Sequence, residues 1–409
     1  MAVYDMDDAL STARSRHTTT TPPSQQPPNP TTDSTSRYDR PIAAAQEDGL
    51  PIIDISSFLD PNSSVSDRQT TAQAINAACI NYGFFYLTGH GIPTAKLDEI
   101  IDLARRFFAL PLDKKNQIKR FDASGPEGGD SARGYQGLGE NVTGGLQDMQ
   151  EAIDLYRPWN GAEEEGDGGP GTRKPLQGPN LWPAEPAELR EVYEKYIKQV
   201  TEVGRALVRA MGAALNLGPA SPDAERDAED EDVFARHCDE SFWVMRMINY
   251  PPLPPSAKSA HAVAQQQDPN QFSCGAHTDY GCVTLLLADP TPGALQVQLK
   301  DGTWLPADPL PGAFVVNVGD MIERWTNGLW RSTMHRVIHR GDGGVYGPGG
   351  GGRVSVPFFF EPNFDALVRP LSKCVQESGR PAMHDGSTYG EHLLTKVFSN
   401  FYYSKRTDW

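Results

Sequence analysis

The sequence predicts a mixed but mainly β protein, a sandwich or barrel of short strands with helices packed around it. Three observations lead there. From Ser241 to Phe360, short apolar and aromatic runs alternate with Pro, Gly and Asp-Gly turn signals. Upstream, apolar residues recur at three- and four-residue spacing in separate stretches, the period of helices with one buried stripe. Apolar residues make up 38% of the 409-residue chain, enough to fill a sizeable core.

Residues 1–48 are rich in Ser, Thr, Pro and Gln and lack an apolar period, so they are expected to form a disordered tail. Order is expected from Leu50-Pro-Ile-Ile-Asp-Ile55, a short strand. Ser66 is the expected cap of a helix carrying Ala72, Ile75, Cys79 and Tyr82, which Gly83 stops. Phe84–Thr88 reads as a strand. A second helix follows Pro93, with Leu97, Ile100, Ile101, Ala104, Phe107 and Phe108 on one stripe and Pro111 at its end. Residues 122–147 are glycine-rich and read as a long loop, of the kind that forms lids and binding loops. Glu151–Tyr156 reads as a strand and Gly161–Trp182 as another loop.

Ala187–Leu217 is the longest helical pattern. Leu189, Val192, Tyr193, Tyr196, Val200, Val203, Leu207 and Met211 share its apolar face, and Gly218 is placed to end it. This helix is expected to pack against the outside of the sheet. Strands are then expected at Trp243–Tyr250, Asp268–Ser273, Val283–Ala288, Ala294–Leu299, Phe314–Val318, His335–His339 and Arg353–Phe360, with Asp301-Gly302 as a hairpin turn. Tyr389–Phe401 is a final amphipathic helix. The expected organisation is a tail (1–48), a helix-and-strand region with a lid loop (49–236), a strand core (237–365), and a C-terminal helix and tail (366–409).

The net charge of −16, with no basic stripe, argues against nucleic acid or an anionic membrane as partner. Five cysteines without CxxC spacing favour reduced thiols and a cytoplasmic location. No apolar run approaches the ~20 residues of a membrane span. The N-terminus lacks a signal peptide's hydrophobic core; Arg14, Arg16 and the Ser/Thr-rich start leave an organellar transit peptide open, and Asp5, Asp7 and Asp8 argue against it.

Chemistry concentrates between Gly275 and Phe360. His277 and Asp279 are two apart, so on one strand they would share a face. A distant histidine can complete three ligands on one side of a metal. Two histidines and a carboxylate with open positions are the facial triad of non-haem Fe(II) oxygenases. Arg353 and Ser355 are again two apart and can together hold a carboxylate, the arginine by its planar fork. His335 and His339 lie on one face of one expected strand and compete for the third ligand position. His90 reads as structural. His237, His261, His384 and His392 have no companion acid at ligand spacing.

The ordered set His277-Thr-Asp279, His335 and Arg353-Val-Ser355 resembles the Fe(II)/2-oxoglutarate-dependent dioxygenases, in the branch that includes isopenicillin N synthase. Supporting strings are Pro51–Ser56, Gly83–Pro93, Asn317-Val-Gly-Asp-Met321, Ser332–Val337 and Phe360-Glu-Pro-Asn-Phe364, so the likeness spans residues 50–403. It implies a double-stranded β-helix, or jelly-roll, with the metal at its mouth. It implies His277, Asp279 and His335 as ligands to Fe(II), His335 being the family's position. Arg353 and Ser355 would hold the C5 carboxylate of 2-oxoglutarate. O₂ is the oxidant, ascorbate a further reductant, and residues 122–147 a loop over the active-site mouth. The reaction implied is hydroxylation or desaturation of a small organic molecule, with release of succinate and CO₂.

Aligned on Tyr250-Pro251, the segment resembles the plant flavonoid oxidases, which implies Tyr250 near the C1 carboxylate of 2-oxoglutarate, with Asn249, out of phase, a weaker candidate. Arg246, Tyr280, Tyr135 and Glu140 are the substrate candidates. Gly275–Gly281 and Tyr389-Gly-Glu-His392 also resemble the ethylene-forming enzyme, but that enzyme has two consecutive acids where this chain has Glu140-Asn141. The His335–Arg353 gap holds a run that is almost all glycine, Gly341–Gly352, read as a loop inserted between two strands. The rival readings are an iron oxidase independent of 2-oxoglutarate and a non-catalytic jelly-roll binding protein.

Overall fold

The computed structural model describes residues 49–120, 132–143, 146–158, 176, 178–221, 223–252, 272–338 and 352–400. The expected tail, most of Gly161–Trp182, His261, His339 and the glycine run up to Gly351 lie outside these residues. The strands are β1 (Ile52–Asp54), β2 (Phe84–Thr88), β3 (Gly134–Gln136), β4 (Val142–Thr143), β5 (Leu146–Gln147), β6 (Glu151–Tyr156) and β7 (Val244–Tyr250). They continue with β8 (Phe272–His277), β9 (Val283–Ala288), β10 (Leu295–Gln298), β11 (Trp304–Pro306), β12 (Phe314–Val318), β13 (His335–Ile338) and β14 (Arg353–Phe360).

Eight strands form one sheet in the order β1-β2-β12-β9-β14-β7-β6-β3, and four form a second, β11-β10-β13-β8. β1 runs parallel to β2, and the other pairings in these two sheets are antiparallel. This is the expected jelly-roll. Between the sheets lies an apolar layer that includes Phe84, Ile248, Leu295, Val315 and Val337. The outer face of the large sheet packs under the Val65–Asn81, Thr94–Phe108 and Leu189–Ala214 helices.

Strand alternation assigns each side chain to one of these two layers. In β14, Val354, Val356, Phe358 and Phe360 join the core beneath the helices. Arg353, Ser355, Pro357 and Phe359 line the cavity between the sheets. Each large apolar side chain buried this way contributes about 1.5–3 kcal/mol. Close helix–sheet contact also needs small residues. A Cβ on Gly204, in the long helix, would stand 2.6 Å from the Phe360 ring.

Several boundaries differ from expectation. Ser64, not Ser66, caps the first long helix: its hydroxyl accepts the Asp67 N–H at 3.1 Å, the N3 position of a capping side chain, whereas Ser66 already lies inside the helix. Pro111 does not end the Thr94–Phe108 helix, which has already stopped; it caps the short Leu112–Lys115 helix. The long helix ends at Ala214, and Asn216, not Gly218, takes the left-handed position just beyond it (φ +51°). The strand expected at Asp268–Ser273 is described over Phe272–His277. The 122–147 stretch is not all loop. Its described part contributes edge strand β3, paired to β6, and the β4–β5 hairpin.

Candidate active site

Strands β8 and β13 pair so that His277 stands directly opposite His335, with ring centroids 4.3 Å apart. Each Nδ1 meets a backbone carbonyl two residues upstream: Gly275 at 2.8 Å for His277, Thr333 at 3.1 Å for His335. A carbonyl only accepts, so Nδ1 carries the proton and Nε2 is left to face the centre.

Asp279 joins them by a different route from the one its spacing suggests. β8 stops at His277, so Asp279 lies in the turn beyond the strand rather than on its face. That turn is pinned from behind. The Asp320 N–H donates to the Asp279 carbonyl at 2.8 Å, and the Met321 N–H to the Gly281 carbonyl at 2.9 Å. Asp279 Oδ1 is then 3.7 Å from His277 Nε2 and 3.6 Å from His335 Nε2. One ligand atom from each residue lies within 4.8 Å of the other two. Oδ2 is turned away and accepts from Asn317 Nδ2 at 2.7 Å and from the Thr284 hydroxyl.

The charges follow from these contacts. Burial opposes the Asp279 carboxylate, but both histidines and the two hydrogen bonds on Oδ2 hold it below the usual carboxylate range. Burial and the neighbouring His277 push His335 down to about 4. Burial also opposes charge on His277, yet Cys274, Asp279 and the Gly275 carbonyl push it up to about 10. A metal ion at Nε2 would replace that proton. Two imidazoles and a single carboxylate oxygen on one side, open on the other, are the donor set of a mononuclear Fe(II) site.

A second group lies on β14 and β7. Arg353 is 3% exposed, and its Nε and Nη1 have no hydrogen-bond partner among the described residues. Its guanidinium packs 5.2 Å from the Tyr250 ring centroid, and Tyr250 is hydrogen-bonded to Ser355. Burial pushes the Tyr250 hydroxyl up to about 12, so it stays protonated. A buried, unpaired guanidinium is costly and calls for an anion. A carboxylate set between Arg353, Ser355 and Tyr250 would satisfy it bidentately. Tyr250 thus stands beside the Arg353–Ser355 pair in this structure.

All six residues line one cavity of about 410 Å³ between the sheets, as do Arg246 and Tyr280. Three candidates do not reach it. Asn249 points to the helix side, one residue out of phase with Tyr250, and donates to Glu151 Oε1 at 2.9 Å. Tyr135 also faces that side, its hydroxyl donating to Glu151 Oε2 at 2.6 Å. Glu140 pairs with Lys119 at 3.0 Å and Arg120 at 3.7 Å. Arg246 has an acid partner, Asp154, at 2.7 Å. His90 is structural, bonded to the Gly312 carbonyl at 2.9 Å. Sequence reasoning passed over Thr284 and Asn317, which stand opposite each other on β9 and β12. The available signal was one polar residue inside each otherwise apolar strand.

Comparison with known proteins agrees with this geometry. Residues 50–185 match the family model "non-haem dioxygenase in morphine synthesis N-terminal", and residues 242–362 match the "2OG-Fe(II) oxygenase superfamily". A homoarginine-6-hydroxylase of Arabidopsis thaliana is 38% identical over 361 residues, which is 86% of this chain and 97% of that protein. The 2-oxoglutarate-dependent dioxygenase tropC of Talaromyces stipitatus is 32% identical, covering 85% of this chain and 94% of that protein. Among solved structures, a full-length Neurospora crassa protein in complex with alpha-KG and thymine superposes with a TM-score of 0.66 at 25% identity, over 88% of this chain and 99% of that one. A 2OG-Fe(II) oxygenase family protein of Caulobacter crescentus gives 0.65 at 27%, over 86% and 99%. The chain belongs to the Fe(II)/2-oxoglutarate-dependent oxygenases: it is an oxidoreductase that uses Fe(II) and 2-oxoglutarate on a small-molecule substrate.

Proposed function

We propose that Nε2 of His277, Nε2 of His335 and Oδ1 of Asp279 hold the Fe(II), and that Arg353, Ser355 and Tyr250 hold the distal carboxylate of 2-oxoglutarate. Held there, the iron would activate O₂ with two electrons taken from 2-oxoglutarate, which would leave as succinate and CO₂, and the remaining oxidising equivalent of O₂ would act on a substrate C–H bond. The protein's own residues do the rest. The Gly275 and Thr333 carbonyls aim the imidazoles, and Asn317 and Thr284 keep Asp279 monodentate so that the open face stays available. The apolar layer between the sheets limits water around the reacting groups.

The single observation that carries the co-substrate assignment is the buried Arg353 guanidinium, whose Nε and Nη1 have no hydrogen-bond partner among the described residues, lining the same cavity as the triad. It favours 2-oxoglutarate dependence over an iron oxidase that needs no co-substrate. For the substrate, homoarginine is the first compound to try. Four relatives that are 38% identical carry the name homoarginine-6-hydroxylase. A cytosolic location is supported by the five cysteines, all buried and none in a disulfide.

The test is an anaerobic titration of the purified protein with Fe(II) and 2-oxoglutarate, following the weak visible charge-transfer band of the chelate. The band is expected in the wild type, weakened in Arg353→Ala and lost in His277→Ala. Iron binding without the band would overturn the co-substrate assignment.

A further inference from the structure

The reactive centre occupies one part of the cavity; a second polar group lines the wall formed by β6 and β7. The chain entering β6 turns Gln150, Ala152, Asp154 and Tyr156 inward at period two, and β7 places Ile248 opposite Ala152 and Arg246 opposite Asp154. Gln150 is 2% exposed, and its side-chain oxygen has no hydrogen-bond partner among the described residues. It sits on the cavity wall, where a buried and unmet acceptor is costly unless a ligand supplies the donor. Ala152, between Gln150 and Asp154, is a small residue buried in the inter-sheet layer, so no long side chain rises between them on that face.

Farther along the wall are two opposite charges. Arg246 Nε lies 2.7 Å from Asp154 Oδ1, and Gln136 braces the pair, accepting from Arg246 Nη2 at 3.3 Å and donating to Asp154 Oδ2 at 3.0 Å. The arginine side chain is 16% exposed on the cavity wall and the aspartate 4%. The wall is electrically neutral as a pair but strongly dipolar. A lone anion or a lone cation meets attraction and repulsion together; a zwitterion can satisfy both ends.

We infer that Asp154 and Arg246 read the head group of a free α-amino acid, the carboxylate meeting Arg246 and the ammonium meeting Asp154, while Gln150, four positions along the same run and about 13 Å away, accepts from a donor farther along the ligand. This rests on the active-site reading above and adds the substrate class and the residues that select it. The substrate's aliphatic chain then lies against the apolar side chains of the inter-sheet layer, among them Phe84, Ile248 and Leu286, on its way to the metal centre.

The experiment uses wild-type protein with Fe(II) and 2-oxoglutarate, titrated anaerobically with L-homoarginine, L-arginine, L-lysine and the other standard amino acids. Decarboxylated and Nα-acetylated forms of each binder are titrated in parallel. At least one free amino acid is expected to perturb the visible band, and both blocked forms to bind at least tenfold more weakly. In aerobic assays, Gln150→Leu and Ala152→Leu are expected to raise the KM for that amino acid at least tenfold and the KM for 2-oxoglutarate less than twofold. Equal binding of the blocked forms, or no response to any free amino acid from an enzyme that shows the band, overturns the inference. So does an Arg246→Leu variant that weakens saturation by 2-oxoglutarate and leaves saturation by the amino acid unchanged, which would assign the arginine to the co-substrate. A wild type with no band at all instead fails the active-site reading itself.

Discussion

Asp289 holds both backbone polar groups of Val354. Its N–H donates to the Val354 carbonyl at 3.0 Å, and its Oδ2 accepts the Val354 N–H at 2.8 Å. Val354 is the residue between Arg353 and Ser355, so this one acid fixes the start of β14 where the proposed carboxylate-binding pair projects. Asp289 is 1% exposed, and Arg105 from the Thr94–Phe108 helix braces it at 2.6 Å.

Asp289→Ala is therefore expected to raise the KM for 2-oxoglutarate about tenfold, as removal of an outer partner does at comparable sites, with a much smaller change in kcat. Succinate formation against 2-oxoglutarate concentration measures this. A change in kcat alone would show that Asp289 does not act through Arg353.

Asn317→Ala and Thr284→Val should each weaken Fe(II) binding roughly 10- to 100-fold. Either change frees Asp279 Oδ2 to turn toward the histidines. Anaerobic iron titration checks it, and unaltered affinity in both variants would remove the anchoring role.

Arg353→Lys keeps the charge but loses the fork, so the KM for 2-oxoglutarate should rise by an order of magnitude or more. Tyr250→Phe deletes one neutral hydrogen-bonding group and should cost less, about 0.5–1.5 kcal/mol. The reverse ranking would place the co-substrate carboxylate elsewhere.

Stability should fall as pH rises through neutrality. Burial pushes the Glu361 carboxyl up to about 8, with nearby Asp279 and Asp320 adding to the effect, although the Cys282 N–H at 2.9 Å and the Tyr389 hydroxyl oppose it. Its folded pKa thus lies above the unfolded value near ~4.3. Stability from the protonated form is complete below the unfolded pKa and is lost as pH rises from there through the folded pKa. Linkage gives a loss of roughly 2 kcal/mol between about pH 6 and about pH 8.5. Denaturant midpoints across that range should show it, and Glu361→Gln should flatten the slope. An equally steep slope in the variant would assign the effect to another group.

The sequence alone determined the architecture and a candidate reactive centre. Apolar period distinguishes helix from strand over long stretches, and the two-residue spacings of His277 with Asp279 and of Arg353 with Ser355 mark candidate metal and carboxylate groups, whereas the choice of His335 over His339 rested on the family resemblance. What only the tertiary structure decided depends on which groups meet across the fold. Strand alternation sends Tyr250 into the cavity and Asn249 out of it, but only the β14–β7–β6 register shows which phase faces inward. Tyr135 and Glu140 sit in a stretch that reads as a lid, yet their partners are Glu151 and the Lys119–Arg120 pair. Gln150, Asp289 and Thr284 carry no motif, and Asn317 sits in a string that marks the family without marking its own role. Asp289 and Arg105 are 184 residues apart in the chain, and a single buried polar group acquires a role only from the neighbour that satisfies it or leaves it unmet.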